Sequence, residues 1–140
     1  MKSNLKIIPL CVSAMTIAAV LSGCYDAGAV LAEQSAEFAV CTLDRGKGCA
    51  VAAPAGTEVA NTSVSSVDDA IRVLGNVSTM NECEGFAAHA KSRSSKHIAQ
   101  ATINSIVVMP FGEVVPLDQA IKIACATPPY NVSLTVAKAP

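Results

Sequence analysis

The residues best suited to chemistry in this 140-residue chain are Cys41, Cys49, Cys83 and Cys125, accompanied by the two histidines, His89 and His97. Thiols and imidazoles together raise a metal centre; thiols in even number raise disulfides. The spacing argues against the metal. No Cys-x-x-Cys occurs, and the histidines do not stand at i, i+4, where one helix face would offer both to an ion. An even set of cysteines in a small chain is the pattern of a disulfide framework. The chain has six cysteines, of which Cys11 and Cys24 fall in the N-terminal segment, and the remaining four allow three connectivities. Cys41-Thr-Leu-Asp-Arg-Gly-Lys-Gly-Cys49 carries two glycines in a turn-rich stretch whose ends can meet, which favours Cys41–Cys49 and leaves Cys83–Cys125.

Catalytic constellations are not visible. There is no Gly-x-Ser-x-Gly elbow, no phosphate loop and no metal-ligand helix. If all four cysteines pair, none is a nucleophile. Asp68 and Asp69, which follow Ser66, read as first-turn charges of a helix rather than as an acid–base pair. The expectation is therefore no catalytic residue, no cofactor and no small-molecule substrate, with an enzyme the less favoured class. The formal net charge is -1; without Lys2 and Lys6 the chain has 8 basic against 11 acidic residues, or -3. Nucleic acid, which needs a dense positive footprint, is not an expected partner.

The elements that would position these residues begin after residue 23. Lys2 and Lys6 precede an uncharged, mostly apolar run from Ile7 to Val20, which ends in Leu21-Ser22-Gly23-Cys24. A positive n-region, an apolar h-region and a small-residue site make a secretory signal, and the run is short of the roughly 20 apolar residues a membrane span needs. Leu-Ser-Gly-Cys resembles the bacterial lipobox. That resemblance implies cleavage before Cys24, acylation of Cys24, and a mature chain held in a membrane by acyl chains, each buried methylene contributing about 0.8 kcal/mol. It also implies the outer membrane as the destination, with the domain facing the periplasm, because Asp26 is not the residue directly after Cys24.

Residues 24–36 then read as a tether or weak helix, and 37–140 as a single disulfide-stapled domain. Glu37 to Ala53 reads as two short strands around Asp44-Arg45-Gly46-Lys47-Gly48, and Thr57 to Val64 as a further strand. Ser66 to Asp69 looks like a helix start, although Ile71, Val73 and Val77 also alternate as a strand would. Ala87 to Thr102 carries a small-residue stripe at Ala90, Ser94, Ile98 and Ala101 and is read as the one clear helix. On it Lys91, Arg93 and Lys96 form a basic cluster, a candidate contact surface for anionic headgroups, glycan or an acidic partner, and His89 and His97 read as solvated. Ile103 to Met109 reads as a buried strand and Tyr130 to Val136 as a terminal strand. The stretch after Pro116 fits helix and strand equally. The expected class is α+β, one helix packed on a short sheet with two disulfides.

Two partial resemblances join these pieces. Val73-Leu74-Gly75-Asn76-Val77-Ser78, Cys83, the basic segment from Ala90, Asn104-Ser105-Ile106-Val107-Val108 and Cys125 resemble RcsF, a family of outer-membrane lipoproteins that sense envelope stress. The likeness covers roughly residues 72 to 126. RcsF-type domains hold both disulfides inside that region, whereas only Cys83 and Cys125 fall inside it here. Phe38, Cys41 and Gly46-Lys47-Gly48-Cys49 resemble a motif of TraV-type lipoproteins of conjugative secretion machines. The first resemblance implies a non-enzymatic sensor or quality-control protein acting through protein contacts. The second implies a structural lipoprotein of a secretion, conjugation or pilus complex. A helix after Pro116 followed by the terminal strand would favour the second, a strand there the first.

Overall fold

The computed structural model describes residues 26–64, 67–91 and 95–139. The signal segment, Cys24 and Arg93 lie outside them. Among the described residues, five strands form one antiparallel sheet and three α-helices accompany it, an α+β fold.

The first element decides one expectation and corrects another. The stretch read as a tether or weak helix is helical, and it runs on through the first of the two expected short strands as one 19-residue helix, α1 (Ala27–Arg45). Its start is chemically clear. The Asp26 carboxylate accepts from the backbone N–H groups of Gly28 and Ala29, at 2.9 and 3.2 Å, two donors that no preceding turn can satisfy. Alanine, leucine, glutamate and glutamine then propagate it. Gly28, Ala32, Ser35, Ala36 and Ala39 are buried along one stripe, and Leu31, Phe38, Val40 and Leu43 pack against the core beside it, partly buried. It stops at Gly46, whose positive φ of 54° ends the helical path, and a 3-10 turn, Gly46–Gly48, follows.

Strands β1 (Glu58–Val64) and β2 (Val67–Val77) pair antiparallel. The expected helix start around Asp68 and Asp69 is instead the beginning of β2, whose alternation of Ile71 and Val73 toward the core sets its period. Helix α2 (Met80–His89) opens on a capping box: Thr79 Oγ1 accepts from the Glu82 N–H at 3.1 Å, and Glu82 Oε1 accepts from the Thr79 N–H at 3.3 Å. The helix expected at 87–102 is therefore misplaced. It ends at His89, and His97–Ile103 is strand β3, with His97, Ala99, Ala101 and Ile103 buried at alternate positions. Alanine serves either period, so a stripe containing Ala90 and Ala101 does not separate helix from strand. The expected single strand at 103–109 is likewise divided. Asn104 and Ser105, both at positive φ, turn the chain between β3 and β4 (Ile106–Met109).

After Pro116 the chain is helical: α3 (Asp118–Ala124) precedes β5 (Tyr130–Lys138). The sheet order is β1-β2-β5-β3-β4, so β5, last in sequence, sits in the middle. One face carries the core. Ile71 and Val73, Val132, Leu134 and Val136, and Ala101 and Ile103 are buried there, in a common cluster with Ala32, Ala36 and Ala39 of α1 and Phe86 of α2. Both disulfides join as expected, Cys41 to Cys49 and Cys83 to Cys125, with Cα separations of 5.5 and 5.8 Å.

Candidate functional site

Two surfaces of this frame could do work. The first is the sheet face turned away from the helices. Register places Arg72, Thr135 and Gln100 in one row across β2, β5 and β3, and Leu74, Ser133 and Thr102 in the next. Asn76 and Asn131 form a third row, which Asn104 closes by accepting the Asn131 N–H at 3.0 Å. Ser133 and Thr135 of the central strand are short, while Arg72, Leu74 and Gln100 beside them are longer, which makes a trough of about 520 Å³ along β5. Its floor is internally bonded: Arg72 Nε donates to Thr135 Oγ1 at 3.3 Å, and the Thr102 and Ser133 hydroxyls bond each other. Glu58 of β1 adds the other charge to the lining.

The second surface is apolar. Of the nine large hydrophobic side chains exposed among the described residues, six lie between 106 and 123: Ile106, Val107, Val114, Val115, Leu117 and Ile123. Val114 is 84% and Ile123 60% exposed, so these are not shallow core residues. The loop that carries the valines turns at Gly112 (φ 86°), and the Leu117 N–H returns it to the sheet by donating to the Val108 carbonyl at 2.8 Å. The result is an apolar rim beside β4, an edge strand of the sheet. Ile106 and Val107, adjacent in β4, face opposite sides of the sheet, so the rim wraps this edge rather than forming one flat patch. Its concentration along one stretch of chain makes the edge a candidate contact surface.

The residues singled out from sequence are dispersed. Lys91 and Lys96 are exposed in the connection between α2 and β3, not on a helix, and Arg93 of the same cluster lies outside the described residues, as does Cys24. His89 is exposed, with Nδ1 3.0 Å from the Gly85 carbonyl oxygen. His97 corrects the expectation of a solvated side chain. It is 4% exposed at the start of β3, and its Nε2–H donates to Asp44 Oδ1 at 3.0 Å, which ties the last turn of α1 to the sheet. Among the described residues no group of three or more His, Cys, Asp or Glu is placed to hold a metal ion. Cys83 and Cys125 are fully buried, and Cys41 and Cys49 half-buried.

Sequence reading missed both surfaces. The alternation of Gln100 and Thr102, and of Asn131, Ser133 and Thr135, was available as a signal for a solvated sheet face. Nothing in the chain order revealed that β5 lies between β2 and β3. Val114 and Val115 resemble core residues by type, and only the fold shows them outside. In comparisons with known proteins, the chain matches no family model, no curated protein and no solved structure.

Proposed function

We propose that this protein is a non-enzymatic, lipid-anchored envelope protein, held at Cys24 in the outer membrane, that acts through contacts with other envelope proteins in stress sensing or quality control. The apolar rim at Ile106, Val107, Val114, Val115, Leu117 and Ile123 carries the contact part of this reading, because six of the nine exposed large hydrophobics among the described residues fall along this one edge. The anchor rests on Leu21-Ser22-Gly23-Cys24 and the apolar run before it. Two disulfides support an oxidising compartment, as export would provide.

A second reading has an observation of its own. Helix α3 followed by β5 is the arrangement that favours a structural lipoprotein of a secretion, conjugation or pilus complex. Both readings share anchor and rim, and they differ in what the rim meets.

Mild crosslinking of the tagged, lipidated chain in intact cells, followed by mass spectrometry, separates them. Outer-membrane barrels or a regulatory inner-membrane protein would mark a sensor; ring subunits would mark a machine component. The double variant Val114→Glu, Val115→Glu should lose at least nine-tenths of the captured partner while keeping its circular dichroism, since both side chains stand in solvent. Capture that is undiminished in this variant would remove the rim from the argument. The anchor is tested separately. Palmitate labelling should disappear in Cys24→Ala, and persistent labelling would exclude that residue as the acylated one.

A further inference from the structure

The trough on the open sheet face has a shape and chemistry that the contact reading leaves unused. Its walls, on β2 and β3, stand two strand spacings apart, roughly 10 Å, and Asn131 to Thr135 along the floor spans roughly 14 Å. A single extended polymer strand fits that width. The floor hydroxyls of Ser133 and Thr135 already have partners in Thr102 and Arg72, so it stays narrow and ordered without a ligand. The walls offer the side-chain amides of Asn76, Gln100 and Asn104, each able to donate and accept at once. Such groups suit a ligand that itself alternates donors and acceptors along its length.

An extended peptide is poorly served here. Main-chain hydrogen bonds of a sheet lie in its plane, so a peptide on the face cannot use them. Of the two large apolar residues in the lining, Leu74 and Val132, the second is buried in the core, which leaves Leu74 to receive a peptide side chain. A glycan is well served: hydroxyl and N-acetyl groups pair with amides and hydroxyls. Arg72 spends only Nε on Thr135, and four of the five guanidinium N–H donors remain to meet a carboxylate. Glu58, opposite Leu74 on β1, lies one row away and one strand further out, so the ligand carboxylate belongs on the Thr135–Gln100 side of Arg72. We propose that this trough binds an N-acetylated, carboxylate-bearing oligosaccharide of about three sugar units, with Arg72 reading the carboxylate. The proposal does not depend on the anchor or on the apolar rim.

Isothermal titration of the full chain in mild detergent tests it, with two probes: tri-N-acetylglucosamine, and a glycan of the same length in which N-acetylmuramic units bring carboxylates. Both should bind saturably. The carboxylated glycan should bind about five-fold more tightly, the contribution of one exposed charge pair. Arg72→Gln should abolish that preference while leaving neutral binding in place. Ser133→Leu fills the floor and should abolish binding of both probes. Gln100→Ala removes only a wall amide and should weaken both several-fold with circular dichroism unchanged, so the test survives if Ser133→Leu fails to fold. Absence of binding by either glycan overturns the proposal, as does binding that Gln100→Ala leaves untouched. A preference equal in wild type and Arg72→Gln overturns the role given to Arg72.

Discussion

Gly28→Ala should destabilise the domain by about 3 kcal/mol, the upper end of the usual cost of overpacking. Helix propensity alone has the opposite sign, since alanine in a helix is favoured over glycine by about 1 kcal/mol. Packing decides it. A Cβ on Gly28 would run into the Glu82 carbonyl oxygen and stand 2.6 Å from the Glu82 carbonyl carbon and 2.8 Å from the Phe86 nitrogen. All three are backbone atoms of α2, so no side chain can swing aside, and the two helices must separate. Separation would loosen Cys83 and Phe86, both buried in the core beside this crossing. Gly85, on the facing helix, meets a softer obstacle, because its Cβ would strike the Asp26 carboxylate. That group can move, at the loss of the α1 cap, which contributes about 1 kcal/mol. Urea unfolding should therefore rank Gly28→Ala well below Gly85→Ala, in which the lost cap and the gained helix propensity, each about 1 kcal/mol, nearly cancel and leave the variant close to wild type. A Gly28→Ala protein as stable as wild type would mean that α1 and α2 do not cross at this point.

The second large effect concerns the disulfides, which should differ in both energy and access. Loop closure predicts about 4 kcal/mol for Cys83–Cys125, given its separation of 42 residues, and about 2.5 kcal/mol for Cys41–Cys49, given 8. Burial widens the gap. Cys83 and Cys125 are both 0% exposed, and replacing them by alanine also removes two sulfurs from the core. The double variant Cys83→Ala, Cys125→Ala should lose roughly 4 kcal/mol or more, a large part of the 5–15 kcal/mol that holds a typical domain together. The variant Cys41→Ala, Cys49→Ala should remain folded at room temperature. Under mild reductant without denaturant, the Cys41–Cys49 bond should open first, since the inner bond is reached only through unfolding. Denaturation midpoints and mass-mapped thiol labelling give both orders; reversal of either would show that the inner pair is not what closes the core.

The sequence was most informative where one residue type admits one role. A glycine-rich stretch between Cys41 and Cys49 pointed to their pairing, and Tyr130 to Val136 alternated clearly enough to mark β5. It was least informative in its alanine-rich parts. The fully buried positions of Ala27–Arg45 are alanine, serine and glycine, which hydropathy barely distinguishes from solvent-facing positions, while Leu31, Phe38, Val40 and Leu43 only flank them. Two local signals were nonetheless present, Asp26 before the alanine run and Thr79-x-x-Glu82 before α2. The capping box, given more weight than the stripe at Ala90 to Ala101, would have placed the helix before Ala90 rather than after it. The surfaces were legible only by halves. Each strand declares which of its side chains are polar, but the trough exists because three strands distant in sequence lie side by side. The rim exists because a loop after Pro110 leaves Val114 and Val115 uncovered.

The central place of β5 has a consequence for assembly in time. Strands β1 and β2 form one hairpin and β3 and β4 another, and neither hairpin pairs with the other. Each reaches the rest of the sheet only through β5. A chain made from its N-terminus therefore holds two incomplete half-sheets, each short of the strand that joins them, until residues 130–138 have been added. The sheet closes last, and the contacts of its core form together at that point rather than one hairpin at a time.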